Sequence, residues 1–217
     1  SAPPPPDADP DFEPPSGPLV MPGTYKAAIA KRVDGVVTPI GSPQTFQVVV
    51  EGQETMSASD QAALVEFQQK AVRLQRAATG ATQAANALKP RLAAIRRAIQ
   101  ETPSLPQRLQ DDASALDKRT NEILRALSGD TAARQRNINT PPSINDRIGY
   151  VVGAQRMSIS RPTQTQIAQY NAAATDFEAT LNQLRQLIEV DLAKLEKQLE
   201  ADGAPWTPGR IPEWKNQ

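Results

Sequence analysis

The chain has neither cysteine nor histidine among its 217 residues. That excludes thiolate nucleophiles, disulfides, zinc sites of the usual Cys/His kind and any histidine-based triad, and leaves carboxylates, Lys, Tyr, Ser and Thr as the side chains that could do chemistry. It also lacks an excess of charge: 24 basic residues balance 24 acidic ones, whereas a nucleic-acid footprint shows as a basic surplus or stripe. The densest basic spot, Arg96 with Arg97, reads as a solvated helix face. No apolar run approaches the ~20 residues of a membrane-spanning helix, and no signal-peptide pattern opens the sequence. No nucleic-acid partner and no membrane insertion are therefore expected.

Proline, by contrast, is plentiful, and it is concentrated at the start. Residues 1–18, "SAPPPPDADPDFEPPSGP", hold too few apolar side chains to fold and read as an extended linker. Asp7, Asp9, Asp11 and Glu13 alternate there, but a calcium loop needs about six to eight oxygens and a glycine at its turn. No metal and no cofactor is expected.

Residues 19–52 carry strand signals. Pro22 and Gly23 precede Tyr25 as in the corner of a Greek-key sandwich, where a tyrosine near the start of the penultimate strand bonds the backbone upstream. The plainer reading is a Pro-Gly turn before any strand. Tyr25, Ala27 and Ile29 alternate with polar or small neighbours, Asp34-Gly35 signals a tight turn, and "TFQVVV" reads as a second strand. Tyr25, Ile29, Phe46, Val48 and Val50 then share an apolar face. Two strands alone are marginal in water, so Phe46 and Val48 are candidate interaction residues, and the hairpin is expected to meet strands from a β-rich partner or to self-associate.

From residue 57 to 202 the pattern is helical. Leu64, Phe67, Ala71, Leu74, Ala78, Ala81, Ala85, Leu88, Leu92, Ile95 and Ile99 alternate at spacings of three and four, the seam of a coiled-coil-like helix. The phase survives Gly80 and Pro90, which predicts one helix from Ala58 to about Glu101, capped by Ser57 with Asp60 and kinked near Pro90. A second helix is predicted from Leu105 to about Ser128, capped by Ser104 with Gln107; its face is Leu105, Leu109, Ala113, Leu116, Ile123 and Leu127. "GDTAARQRNINTPP" reads as a loop. Ser143 with Asp146 opens a third helix to about Met157, whose Gly149 and Gly153 suggest close packing. A fourth runs from Thr163 to Ala201 on Ile167, Tyr170, Ala174, Phe177, Leu181, Leu184, Ile188, Leu192, Leu195 and Leu199, with a stutter at Ile188. The expected fold is mainly α: an elongated antiparallel up-down-up-down bundle of two long and two short helices, preceded by the hairpin that ends an immunoglobulin-like sandwich. In that arrangement the tail, residues 203–217, ends near the hairpin and anchors itself through Trp206 and Trp214, which could otherwise form a glycan platform.

"PGTYKAAIAKRVDGVVTPIGSPQTF" and "LEKQLEADGAPWTPGRIPEW" resemble the C-terminal region of large exported bacterial proteins in which a sortilin-like or sialidase-like β-propeller is followed by an immunoglobulin-like sandwich and a helical segment. The resemblance covers about Pro18 to Trp214. It implies export to the periplasm, cell surface or medium, and a role as a non-catalytic structural and interaction module, or else as an accessory region of a glycosyl hydrolase that contributes to glycan binding or an active-site wall. No Asp-box repeat is present, so no site residue of the propeller carries over.

Catalytic residues are not expected in the chain itself. The carboxylate pairs Asp111 with Asp112, Asp176 with Glu178 and Glu189 with Asp191 are one or two apart, and such neighbours do not face each other on a helix.

Overall fold

The computed structural model describes residues 20, 22–49, 56–157 and 160–210. They form a two-stranded antiparallel sheet, β1 (Gly23–Val33) and β2 (Val36–Val48), followed by α1 (Ala58–Gln100), α2 (Gln107–Ser128), α3 (Thr131–Gln135), α4 (Ile144–Met157), α5 (Gln164–Arg185), a π-helical turn (Gln186–Leu192) and α6 (Ala193–Ala201). The chain divides into two compact units: Ser1–Gln69 with Ala154–Pro162, and Lys70–Gly153 with Thr163–Gln217. Among the described residues no helix is long and apolar enough to cross a membrane.

In the first unit the hairpin turns at Asp34 and Gly35, both at positive φ (49° and 81°). A two-residue turn of that hand matches the twist of the flanking strands, and glycine meets its second position at no steric cost. The first turn of α1 is capped as expected: the Asp60 amide donates to Ser57 Oγ, which donates in turn to Asp60 Oδ2 at 2.9 Å. Arg161 joins Asp60 at 3.5 Å.

The heptad seam of α1 is real. Ten of its eleven predicted residues are buried, Leu74 alone remaining partly accessible. The helix runs unbroken through Gly80 and Pro90. Both lie on its exposed side, as does Asn86, so water can reach the carbonyl that proline leaves without a donor. Alanines at 78, 81 and 85 occupy the middle of the seam, and such small side chains permit close helix approach.

α2 begins two residues later than Ser104 capping predicts, with Pro106 as its N-cap and no side-chain cap. The residue before a proline is pushed out of helical φ/ψ, which ends any helical run at Leu105. Thr120, absent from the predicted face, fills the gap between Leu116 and Ile123; it is buried and its Oγ1 donates to the Leu116 carbonyl at 2.8 Å. Within the predicted loop, Thr131–Gln135 forms one helical turn capped by Asp130, whose carboxylate accepts from the Ala133 amide at 3.0 Å. α4 opens on the Ser143/Asp146 box as expected. Its glycines do not serve close packing: Gly149 and Gly153 are exposed, and a Cβ at either would meet nothing.

The chain directions also differ from up-down-up-down. Within the second unit, Lys89 reaches Asp117 and Asn121 while Arg96 reaches Asp117, and Asn145 bridges Thr82 and Ser128. α2 thus descends along α1. Ala71 and Leu74 of α1 then line one apolar gap with Ile148, Val151 and Tyr170, so α4 descends as well, continuing the direction of α2. Tyr170 lies level with the seventies of α1 and Glu196 with Arg91, which makes α5 to α6 parallel to α1. The order is up, down, down, up. The physical cause is the connection from Gly129 to Ser143, which carries the chain onward instead of reversing it.

The stutter near Ile188 proves to be the π-helical turn. Ala173, Phe177, Thr180, Leu184 and Leu187 are buried at spacings of four and three, and the next buried residues are Leu192, Leu195 and Leu199. The step from Leu187 to Leu192 is five, one residue more than the seam allows; a π turn absorbs one residue. Without it Asp191 would occupy the seam. With it, Asp191 meets Arg119 of α2 at 2.5 Å.

Candidate interaction surface

Among the described residues, the hairpin holds the largest group of exposed large apolar side chains. The register pairs Tyr25 with Phe46, Ile29 with Ile40, Val33 with Val36 and Gly23 with Val48, and directly opposed residues share a face. Along that face Ile29 is 69 % exposed, Val36 66 %, Val33 59 %, Ile40 53 % and Phe46 48 %. The Tyr25 and Phe46 rings stack at 6.0 Å between centroids and 28° between planes. The opposite face carries Thr24, Lys26, Ala28, Ala30 and Arg32 with their partners, and every one of those five is exposed.

Each predicted residue can now be placed. Pro22 is exposed at a bend and Gly23 opens β1, next to Tyr25, which is half-buried. Leu19 and Met21, which the corner's upstream arm would need, and Val50 of the apolar face lie outside the described residues. Phe46 is exposed and Val48 half-buried. The strand that begins at Thr45 in the sequence reading in fact begins at Val36. Val33, Val36 and Ile40 were missed as members of the face. The alternation Val36, Thr38, Ile40 was the available signal, masked by Pro39, Gly41 and Pro43. The chain accommodates these by a bulge in which residues 41–43 stand opposite Ala28 alone.

The described part of the tail, residues 203–210, lies beside Arg91 in the C-terminal half of α1. α6 ends in a Schellman motif, with the Gly203 amide on the Glu200 carbonyl and the Ala204 amide on the Leu199 carbonyl; Gly203, at φ 75°, takes the left-handed position such a cap requires. Arg91 then grips the Glu196 carboxylate with two bonds of 2.8 Å and reaches the Gly209 carbonyl at 3.4 Å. Ala204 and Thr207 are the buried anchors, whereas Trp206 is 46 % exposed with the Arg210 guanidinium 4.6 Å above its ring. Trp214 lies outside the described residues.

Among the described residues no group of three or more acidic, cysteine or histidine side chains could hold a metal ion. Among the described residues, Asp130 and Asp146 are held away from the ordinary carboxyl value of 3.8, and both go down. Burial would raise Asp146, but the Ser143 hydroxyl and amide and the Arg134 guanidinium together outweigh it. The Ala133 amide is the main cause at Asp130, with Arg125 adding to it against a smaller desolvation. Both are helix caps held in the charged form, the opposite of a carboxyl poised as a general acid. Comparison with protein-family models, with curated proteins and with solved structures finds no match to this chain.

Proposed function

We propose that the chain is a non-catalytic structural and interaction module whose hairpin is completed by β-strands of a β-rich partner. The observation that carries this is the exposure of Ile29, Val33, Val36, Ile40 and Phe46 on a sheet that, among the described residues, has two strands and no strand paired to either outer edge. Large apolar side chains removed from water contribute about 1.5 to 3 kcal/mol each, and a contiguous exposed apolar patch marks an interaction site. The resemblance of "PGTYKAAIAKRVDGVVTPIGSPQTF" and "LEKQLEADGAPWTPGRIPEW" supports the partner's nature: the remainder of an immunoglobulin-like sandwich, in or beside a larger exported protein with a β-propeller, present either as an upstream part of one precursor or as a separate chain.

Sedimentation of the whole chain over a wide concentration range tests the reading. Reversible self-association through the exposed apolar face is expected, and it should vanish when Ile29→Lys and Phe46→Lys are combined, with helix content unchanged. A monomer at high concentration whose hairpin amides are already protected would contradict it. Glycan binding that is lost in Trp206→Ala without loss of helix would instead support the accessory role in a hydrolase.

A further inference from the structure

The two edges of the hairpin are not equivalent. In a hairpin with a two-residue loop the pair flanking the loop, here Val33 with Val36, is hydrogen-bonded, and pairs alternate from there. Ala30 with Pro39 is therefore a pair whose backbone groups point outward. Pro39 has no N–H to offer on the outer edge of β2, and residues 41–43, with Pro43 among them, bulge out of the ladder. Proline and bulges are how sheets blunt an edge against pairing. β1 has no proline and no extra residue. Its outward set is Thr24, Lys26, Ala28, Ala30 and Arg32, five residues that each retain an N–H and a C=O.

Charge narrows the occupant. β1 carries Lys26, Lys31 and Arg32 and no carboxylate, and Asp34 in the turn is the one acidic residue between positions 20 and 49. Lys31 lies on the Tyr25 face, but a second copy pairing β1 antiparallel to β1 with Lys26 opposite Arg32 would set cation against cation twice, and like charges directly opposite are destabilising. We infer that the free edge of β1, and not that of β2, receives a foreign strand, one that is apolar on the Tyr25 face and acidic on the face of Lys26 and Arg32. This rests on the reading of the hairpin as incomplete, and adds which edge is used and what chemistry it selects.

The test uses the whole chain and two synthetic 11-residue peptides, one alternating valine with glutamate and one alternating valine with lysine, read by calorimetry and by amide exchange. The glutamate peptide is expected to bind at least tenfold more tightly and to slow exchange at Ala28 and Ala30, leaving Val37 and Thr45 unchanged. Ala28→Pro and Ala30→Pro, which remove outward amides and spare the hairpin's own ladder, should each abolish binding; Val37→Pro should not. Equal binding of the two peptides, protection at Val37 and Thr45, or no binding of either with both edges in fast exchange overturns the choice of edge and partner, and leaves the hairpin incomplete. Outward amides of both strands already slow in the free chain overturn both readings. So does slow exchange at β1 that quickens when residues 1–18 are removed, which would put the chain's own Asp7 to Glu13 stretch on the edge.

Discussion

Ile95 and Ile29 are the same side chain in two surroundings. The first is fully buried in α1 and the second is 69 % exposed in β1. The helical body closes its seams on itself with Leu92, Leu109, Leu127, Leu187 and Leu195, and pins them with cross-helix polar pairs such as Arg91 with Glu196 and Arg119 with Asp191. The hairpin has matched register, a well-chosen turn and a stacked aromatic pair, yet almost nothing it holds is removed from water. Correct local structure and a buried core are separate achievements, and the hairpin has the first without the second.

The largest test of this contrast is paired truncation. Leu127→Ala should destabilise the body by about 2 to 5 kcal/mol, the cost of a cavity in a closed core, while Ile29→Ala should change unfolding of the isolated chain by less than about 0.5 kcal/mol, as at other exposed sites. Urea titration followed by circular dichroism reads both. Smaller is the effect of Arg91→Ala, which strands the Glu196 carboxylate against α1. A loss of about 1 to 3 kcal/mol is expected from an unsatisfied, partly buried charged group, with faster amide exchange in residues 204–210. Charge reversal at both positions should recover part of it.

Smaller again, about 1 kcal/mol, is the cap at Asp146, by Asp146→Ala. The Asp146 carboxyl lies below 3.8 in the folded chain, so its contribution is fully present above that value and disappears as pH falls through the lower folded value. In Asp146→Ala that part of the acid sensitivity should be missing. Smallest is Asp191→Ala, which removes an ion pair between side chains 40 % and 28 % exposed; about 0.2 to 1 kcal/mol is expected.

The helices were legible because their signals are local. The Ser57 and Ser143 caps and the three-four alternation of α1 involve residues a turn apart, and each is present, whereas the Ser104 cap gave way to Pro106. Along α5 the predicted seam holds at Phe177 and Leu184 but is one residue off at two positions, where Ala173 and Thr180, not Ala174 and Leu181, are buried. A small or hydroxylated side chain on the correct face carries less pattern than a leucine beside it. Directions were not legible, because whether residues 129–143 turn the chain back or carry it on depends on where α4 finds a surface, which no spacing encodes. β2 was truncated in the reading because its prolines, which signal an edge, also signal a break. Of the candidate surface, Tyr25, Phe46 and Val48 were recognised from alternation, whereas Ile40 became a member only through the register.

The central claim is that the hairpin stands open in the isolated chain, and native-state amide exchange tests it most directly. The outward amides of Ala28, Ala30 and Arg32 should exchange at nearly unprotected rates in dilute solution, while those of Leu92 and Leu195 exchange only with unfolding of the body. Protection at Ala28, Ala30 and Arg32 as deep as that of Leu92, in a chain shown to be monomeric, would contradict the account.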